Sequence, residues 1–249
     1  MSHIGLLNEG PLHAALKLWY ARPGDRFEVT VEGFVVDIVR DDLLLEIQTG
    51  NFGSIKSKLA NLVRTHRVRL IYPIAQEKWI TRLAKNDPRR IARRKSPKKG
   101  RLEDMFWGIV GIPQLLSNPN LSLEVVMIRE EEARRYVGKR KWRTRGWGVE
   151  ERRLLEVVEQ RVFAQSSDWH VFLPTTLESF TSKDLAQAMG IPRELAQKMA
   201  YCLRQMGIVE LIGRQGRANL YRPATRLAEH CNTPARVSSS LSSHTLPTS

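Results

Sequence analysis

The segment Val35 to Gln48 leaves little freedom of fold, because apolar and acidic residues alternate on both sides of a two-residue turn. It reads Val35-Val36-Asp37-Ile38-Val39-Arg40-Asp41-Asp42-Leu43-Leu44-Leu45-Glu46-Ile47-Gln48. With Asp41-Asp42 as the turn, an antiparallel hairpin has one register: Arg40 opposes Leu43, Val39 opposes Leu44, Ile38 opposes Leu45 and Asp37 opposes Glu46. Alternation then puts Val36, Ile38, Leu45 and Ile47 on one face, and Asp37, Glu46 and Gln48 on the other. Directly opposed side chains have Cβ atoms roughly 5 Å apart, where two negative charges repel by about 3 kcal/mol at an effective dielectric of about 20. A divalent cation, a lysine or a shared proton would remove that penalty. The plain alternative is a solvated pair that splays apart.

The elements on either side build an α/β core. Pro11 to about Arg22 reads as a helix, with Pro11 in its first turn and Leu12, Ala15, Leu16 and Trp19 at helical spacing. Phe27, Val29 and Val31 alternate as a first strand, and the acidic hairpin supplies strands two and three. Ser54 suits the N-cap of a helix running to about His66, and Val68 to Pro73 forms a compact fourth strand. A strand, a helix and a further strand imply a right-handed crossover, so the fourth strand is expected parallel to one already present. Leu121 to Ile128 alternates as a fifth strand, and the first domain is expected to span residues 1–136.

Charge is concentrated rather than spread. The chain of 249 residues carries a formal net charge of +14. From Arg82 to Arg101 ten basic residues face the single acid Asp87, and they include Arg89, Arg90, Arg93, Arg94, Lys95, Lys98 and Lys99. This stretch is expected to be part helix and part open loop. Lys139, Arg140, Lys141, Arg143 and Arg145, interleaved with Trp142 and Trp147, make a second basic run in a connector at 137–148. Such clusters suit a polyanion, and DNA is the expected partner. No apolar run is long enough to span a membrane and no secretory leader is evident, so the reading is cytoplasmic with no membrane partner. Cys202 and Cys231 have neither zinc spacing nor a disulfide framework.

The remainder is read as a second, mostly helical domain at 149–231. Val149 to Phe163 shows helical spacing, with Leu154, Leu155, Val158 and Val162 on the expected buried face. Thr181 or Ser182 caps a helix from Lys183 to Met189, Gly190-Ile191-Pro192 turns sharply, and Arg193 to Met206 is a second helix. Ile208 to Ile212 and Asn219 to Arg222 then flank the basic turn Gly213-Arg214-Gln215-Gly216-Arg217. Two helices, a short turn and a hairpin describe a winged helix-turn-helix. Arg193, Gln197, Lys198, Tyr201 and Arg204 point outward on its second helix, and Arg214 and Arg217 sit at the wing tip, placed to meet DNA. Residues 232–249 are Ser, Thr and Pro-rich and are expected to be disordered.

From Glu9 to Tyr72 the order helix, three strands, helix, strand resembles the PD-(D/E)XK nuclease superfamily, in particular its branch of Holliday-junction resolvases. The residues that carry the resemblance are Val36-Asp37-Ile38 and Leu45-Glu46-Ile47-Gln48. It implies a restriction-endonuclease-like core, a Mg²⁺ (or Mn²⁺) site on Asp37 and Glu46 joined by Glu9, and a water-orienting role for the residue at 48. It also implies phosphodiester hydrolysis in DNA and admits a homodimer, since many such enzymes cut two strands. The usual residue at the last motif position is lysine. Gln48 carries no charge to activate water, so Lys56 and Lys58 on the following helix are candidates for a relocated lysine. The alternative is a nuclease-like DNA-binding protein without the chemistry, acting as a regulator or an architectural or defence component.

Overall fold

The computed structural model describes residues 10–50, 52–84, 90–138 and 146–224. Glu9, Arg89, the run from Lys139 to Arg145 and residues 232–249 lie outside the described residues.

The chain is a mixed α/β structure built on a seven-stranded sheet. Helix α1 (Pro11–Tyr20) leads into β1 (Arg26–Val31), β2 (Phe34–Arg40) and β3 (Leu43–Ile47), followed by α2 (Lys56–Leu62) and β4 (Arg67–Leu83). Strand β5 (Arg90–Lys95) turns back along β4. A short helical segment, with α3 at Phe106–Ile109, then leads to β6 (Leu121–Tyr136) and β7 (Trp147–Phe163). The strand order is β1-β2-β3-β4-β6-β7, and β4 is parallel to both β3 and β6. The crossover through α2 is thus the parallel return expected of a strand-helix-strand run.

The hairpin has the register set by its turn: Ile38 pairs with Leu45, Val39 with Leu44 and Arg40 with Leu43. Asp41 takes φ 47°, the left-handed conformation that a two-residue hairpin turn asks of its first residue and that aspartate tolerates. The expected faces need one correction. Ile38, Leu45 and Ile47 are buried with Leu12, Leu16 and Tyr20 of α1, whereas Val36 is buried with Val39 and Leu44 on the side of α2. Val36 and Ile38 therefore break the two-residue alternation, and Asp37 lies where the strand rolls between two cores.

Three further expectations are corrected. In the basic stretch, Arg90–Lys95 is a strand, β5, pairing antiparallel with Trp79 to Leu83 rather than a helix, and 96–100 is open loop as expected. Strands β4 and β6 run well past the expected ends because their outer halves are joined by charge. Glu130, Glu131 and Glu132 of β6 are buried, with Lys78 and Arg152 on Glu130, Arg93 on Glu131, and Lys78 and Arg134 on Glu132. Val149 to Phe163 is the edge strand β7, not a helix opening a second domain. Its pairing with β6 skips Glu150, Leu155 and Val158, and each bulge adds one residue to the alternation. Leu154 and Val157 consequently share the face over α1 three residues apart, a spacing that imitates a helix.

The second unit begins after β7. A 3-10 segment at Ser166–Phe172 leads to β8 (Phe180–Thr181), α4 (Ser182–Met189), α5 (Arg193–Gln205), β9 (Val209–Gln215) and β10 (Ala218–Pro223). Thr181 caps α4: its Oγ1 accepts from the N–H groups of Lys183 and Asp184, and the Asp184 carboxylate accepts from Thr181 N–H at 2.9 Å. Gly190 ends α4 at φ 60°. The two units share one core. Phe106 of α3 meets Phe172 edge-on at 5.0 Å between ring centroids, and the same buried cluster runs from Leu123 of β6 to Leu195, Met199 and Leu203 of α5. Arg101 reinforces the junction by donating to the carbonyls of Met189 and Gly190, both at 2.9 Å, at the end of α4.

Candidate functional site

Asp37 and Glu46 meet at the open end of the β2–β3 ladder. Where the next backbone pair would form, the side chains take over: Ile47 N–H donates to Asp37 Oδ2 at 2.8 Å and Asp37 N–H donates to Glu46 Oε1 at 3.4 Å. Two basic side chains flank the pair. His13 of α1 brings Nε2 to 3.2 Å from Asp37 Oδ2, and Lys58 of α2 brings its ammonium onto Glu46 Oε1 while donating to Val35 O at 2.5 Å. Lysine is thus one answer to the electrostatic problem posed by the hairpin. A proton is another.

The two carboxylates titrate apart. Burial is the largest influence on both and favours the protonated form. At Asp37 it is outweighed by the hydrogen bond and charge of His13, the Ile47 N–H and the charge of Lys58, so its pKa is lowered. Glu46, only 5% exposed, is pushed up to about 7 by burial and by the Asp37 charge, against the pull of Lys58. A raised acid binds its proton more tightly in the folded state, so Glu46 stabilises the fold at low pH and loses that contribution as pH rises toward 7. Glu46→Gln is expected to gain stability over the parent as pH goes from 5 to 8, by on the order of 2–3 kcal/mol. Thermal melts across that range check it, and a gain independent of pH would contradict it.

The geometry separates the remaining candidates. Lys58 joins the pair and Lys56 is exposed to solvent. Gln48 extends the sheet through its N–H to Ile71 O at 2.8 Å, while its side-chain amide donates to Gly50 O at 2.5 Å. The pair is not an open cleft. Both carboxylate side chains are largely covered, and Gly108 of the segment 102–116 packs instead on Phe52 and Tyr72, where a Cβ would come within 2.6 Å of the Phe52 ring. Sequence reasoning misses His13, since a histidine on a helix has no spacing that ties it to a strand two elements later.

Among the described residues no three His, Cys, Asp or Glu side chains group as a metal site. Two carboxylates suffice for magnesium, which keeps several waters and takes one or two protein carboxylates. The donors fit that demand. His13, Lys58 and the backbone occupy Asp37 Oδ2 and Glu46 Oε1, and the second oxygen of each carboxylate takes no hydrogen bond from the described residues.

The expected DNA contacts divide as well. Arg193, Gln197, Tyr201 and Arg217, with Arg204, line a groove of about 350 Å³ between α5 and the β9–β10 hairpin, and Arg214 is exposed on β9. Lys198 turns away from that groove and places Nζ 5.3 Å from the centre of the Trp107 ring. In the basic stretch, Arg93 pairs with Glu131 and lies over Trp79, and Lys95 pairs with Glu77. Arg94, Lys98 and Lys99 remain exposed. Arg90 is on β5, and its side chain lies outside the described residues.

The family described as "Domain of unknown function (DUF8091)" matches residues 10–164, which runs from the start of α1 to the end of β7. The chain belongs to that family. An uncharacterized protein of Treponema pallidum (strain Nichols) is 33% identical over 224 residues, covering 88% of this chain and 87% of its own length. No solved structure matches. The DUF8091 match contains the hairpin, α2 and His13, and so the whole carboxylate site. The Treponema similarity extends beyond the DUF8091 region into the second unit, because 224 residues exceed the 10–164 span. No helix among the described residues is long and apolar enough to cross a membrane.

Proposed function

We propose that this DUF8091 chain is a Mg²⁺-dependent (or Mn²⁺-dependent) DNA endonuclease of the PD-(D/E)XK kind, with a winged helix-turn-helix that holds the DNA. One observation carries the reading: Lys58 reaches across from α2 to the carboxylates of Asp37 and Glu46. Two carboxylates and a lysine come together there although Gln48 stands at the usual lysine position. The element order α1-β1-β2-β3-α2-β4, with β4 parallel to β3, agrees with the same reading.

In this scheme Asp37 and Glu46 hold the metal, which supplies Lewis-acid charge at the scissile phosphate and lowers the pKa of water. Lys58 supplies positive charge for the negative charge that gathers on the phosphorane-like transition state. His13 and the Ile47 N–H fix the Asp37 carboxylate in place and keep it ionised. Gln48, two residues after Glu46, is assigned the orientation of water as a neutral hydrogen-bonding group. Incubation with Mg²⁺ or Mn²⁺ on duplex, single-stranded, flap and four-way-junction DNA tests the scheme, and failure to cut any of them rejects it.

The competing reading is a DNA-binding protein that kept the fold and lost the chemistry. It draws on the same contact, because an ammonium on Glu46 can stand in for a metal. Lys58→Met separates the two. A nuclease loses cleavage, whereas a protein whose lysine replaces the metal gains Mn²⁺ affinity at the freed carboxylates.

DNA binding has its own test in the groove of the second unit. Replacing Arg193 or Arg217 with alanine is expected to lower affinity and to reduce the slope of log K against log[salt] by about one for each phosphate no longer neutralised. Fluorescence anisotropy at several salt concentrations measures this. An unchanged slope in both variants would place the DNA elsewhere.

A further inference from the structure

Strand β4 has β3 on one edge as far as Ile71 and β5 from Trp79 onward, and among the described residues Tyr72 to Lys78 have no strand partner on that side. The segment after β5 folds across the gap. Ser96 N–H donates to Lys78 O at 2.7 Å and Gly100 N–H to Ala75 O at 3.1 Å. A Cβ on Gly100 would lie 2.3 Å from Ala75 O, so glycine alone permits this approach. The crossing borders an open pocket of about 300 Å³, the size at which small-ligand sites begin.

Ile74, Ile80 and Trp107 give apolar surface, Lys78, Lys98, Arg134 and Arg152 give positive charge, and among the described residues Asp104 is the one carboxylate, so cations outnumber acids in the lining. Arg134 and Arg152 are fixed by Glu132 and Glu130, while Lys98 is exposed. An indole and aliphatic walls beside anchored cations match one ligand chemistry, a flat aromatic base that carries a phosphate. One wall of the cavity is tied to the chain leaving β3, because Arg152 donates to Thr49 O at 3.1 Å, one residue past Gln48.

The geometry points to a nucleotide pocket that takes one unstacked nucleotide of a DNA strand, its base against Trp107 and Ile80 and its phosphate toward Lys98 and Arg134. The role of the pocket rests on the nuclease reading: drawing one nucleotide out of the stack beside the cut favours single-stranded or distorted DNA over intact duplex. Its existence does not depend on cleavage.

Metal-free calorimetry on the full chain tests it, with deoxynucleoside monophosphates, inorganic phosphate and a short single-stranded oligonucleotide as probes. Mononucleotide is expected to bind saturably and inorganic phosphate about tenfold more weakly. Ala75→Leu, which fills the cavity, and Lys98→Ala, a surface change that leaves the fold alone, should each weaken mononucleotide about tenfold. Asp37→Ala should bind as the parent does. Phosphate binding as tightly as mononucleotide, or indifference to both wall substitutions, would overturn the pocket, and an oligonucleotide that does not displace mononucleotide would overturn its assignment to a strand. Nucleotide binding by a protein that cuts nothing would keep the pocket and remove the nuclease; cleavage without nucleotide binding would do the reverse.

Discussion

Asp37→Ala is expected to lower metal-dependent DNA cleavage by about a thousandfold, equivalent to roughly 4 kcal/mol of transition-state stabilisation, while DNA affinity changes little. The separation follows from placement. Asp37 lies between α1 and the end of β3, held by His13 and Ile47 N–H, whereas the groove of Arg193, Gln197 and Arg217 belongs to the other unit. Alanine removes the carboxylate proposed to hold the metal and also the Asp37 charge that, after burial, raises Glu46. Asp37→Asn refines the result, since it keeps the shape and an oxygen that accepts from Ile47 N–H. If asparagine cuts as well as aspartate, the carboxylate charge has no part in the reaction.

The second large effect concerns stability. Glu130 has no exposed surface and sits in the middle of β6, where Arg152 donates to its Oε2 from Nε and Nη2 at 2.9 and 2.7 Å and Lys78 Nζ lies 2.9 Å from Oε1. Removing one partner of a buried ion pair strands the others without compensation. Glu130→Leu is therefore expected to cost about 3–5 kcal/mol, a fall of about 10 °C or more in Tm for a chain of this size. Glu130→Leu with Arg152→Leu should recover much of the loss, because an apolar pair replaces the ionic one. Denaturant unfolding of the two variants measures both numbers. A single variant as stable as the parent would mean that the outer half of the sheet does not depend on this network.

That network also marks where sequence reading stops. The hairpin register is legible at Ile38 and Leu45 because a two-residue turn and strict alternation allow one pairing. The cap at Thr181 and the turn at Gly190 are legible because their chemistry is local. The outer halves of β4 and β6 are not, because Glu130 and Glu132 occupy positions where periodicity looks for apolar residues. Their partners, Lys78 and Arg152, come from strands far along the chain. In β7 bulges at Leu155 and Val158 shift the alternation toward helical spacing. At the site, α2 offers both Lys56 and Lys58, yet choosing between them requires the packing angle of the helix on the sheet. His13 needs the same information for α1.

The shared aromatic core has a further consequence. The DUF8091 match stops at residue 164, one position beyond β7, yet Phe163 at that border stacks on Phe172 at 5.6 Å and faces Trp169 at 4.8 Å, both beyond the match. A fragment ended there would uncover the faces of Phe106 and Phe163 that Trp169 and Phe172 meet, a sticky surface prone to aggregation. Similarity along a sequence and autonomy in folding are therefore different borders in this protein. A protease that nicks near residue 164 should release no soluble pair of halves, because the cut chain stays clasped through the rings on either side.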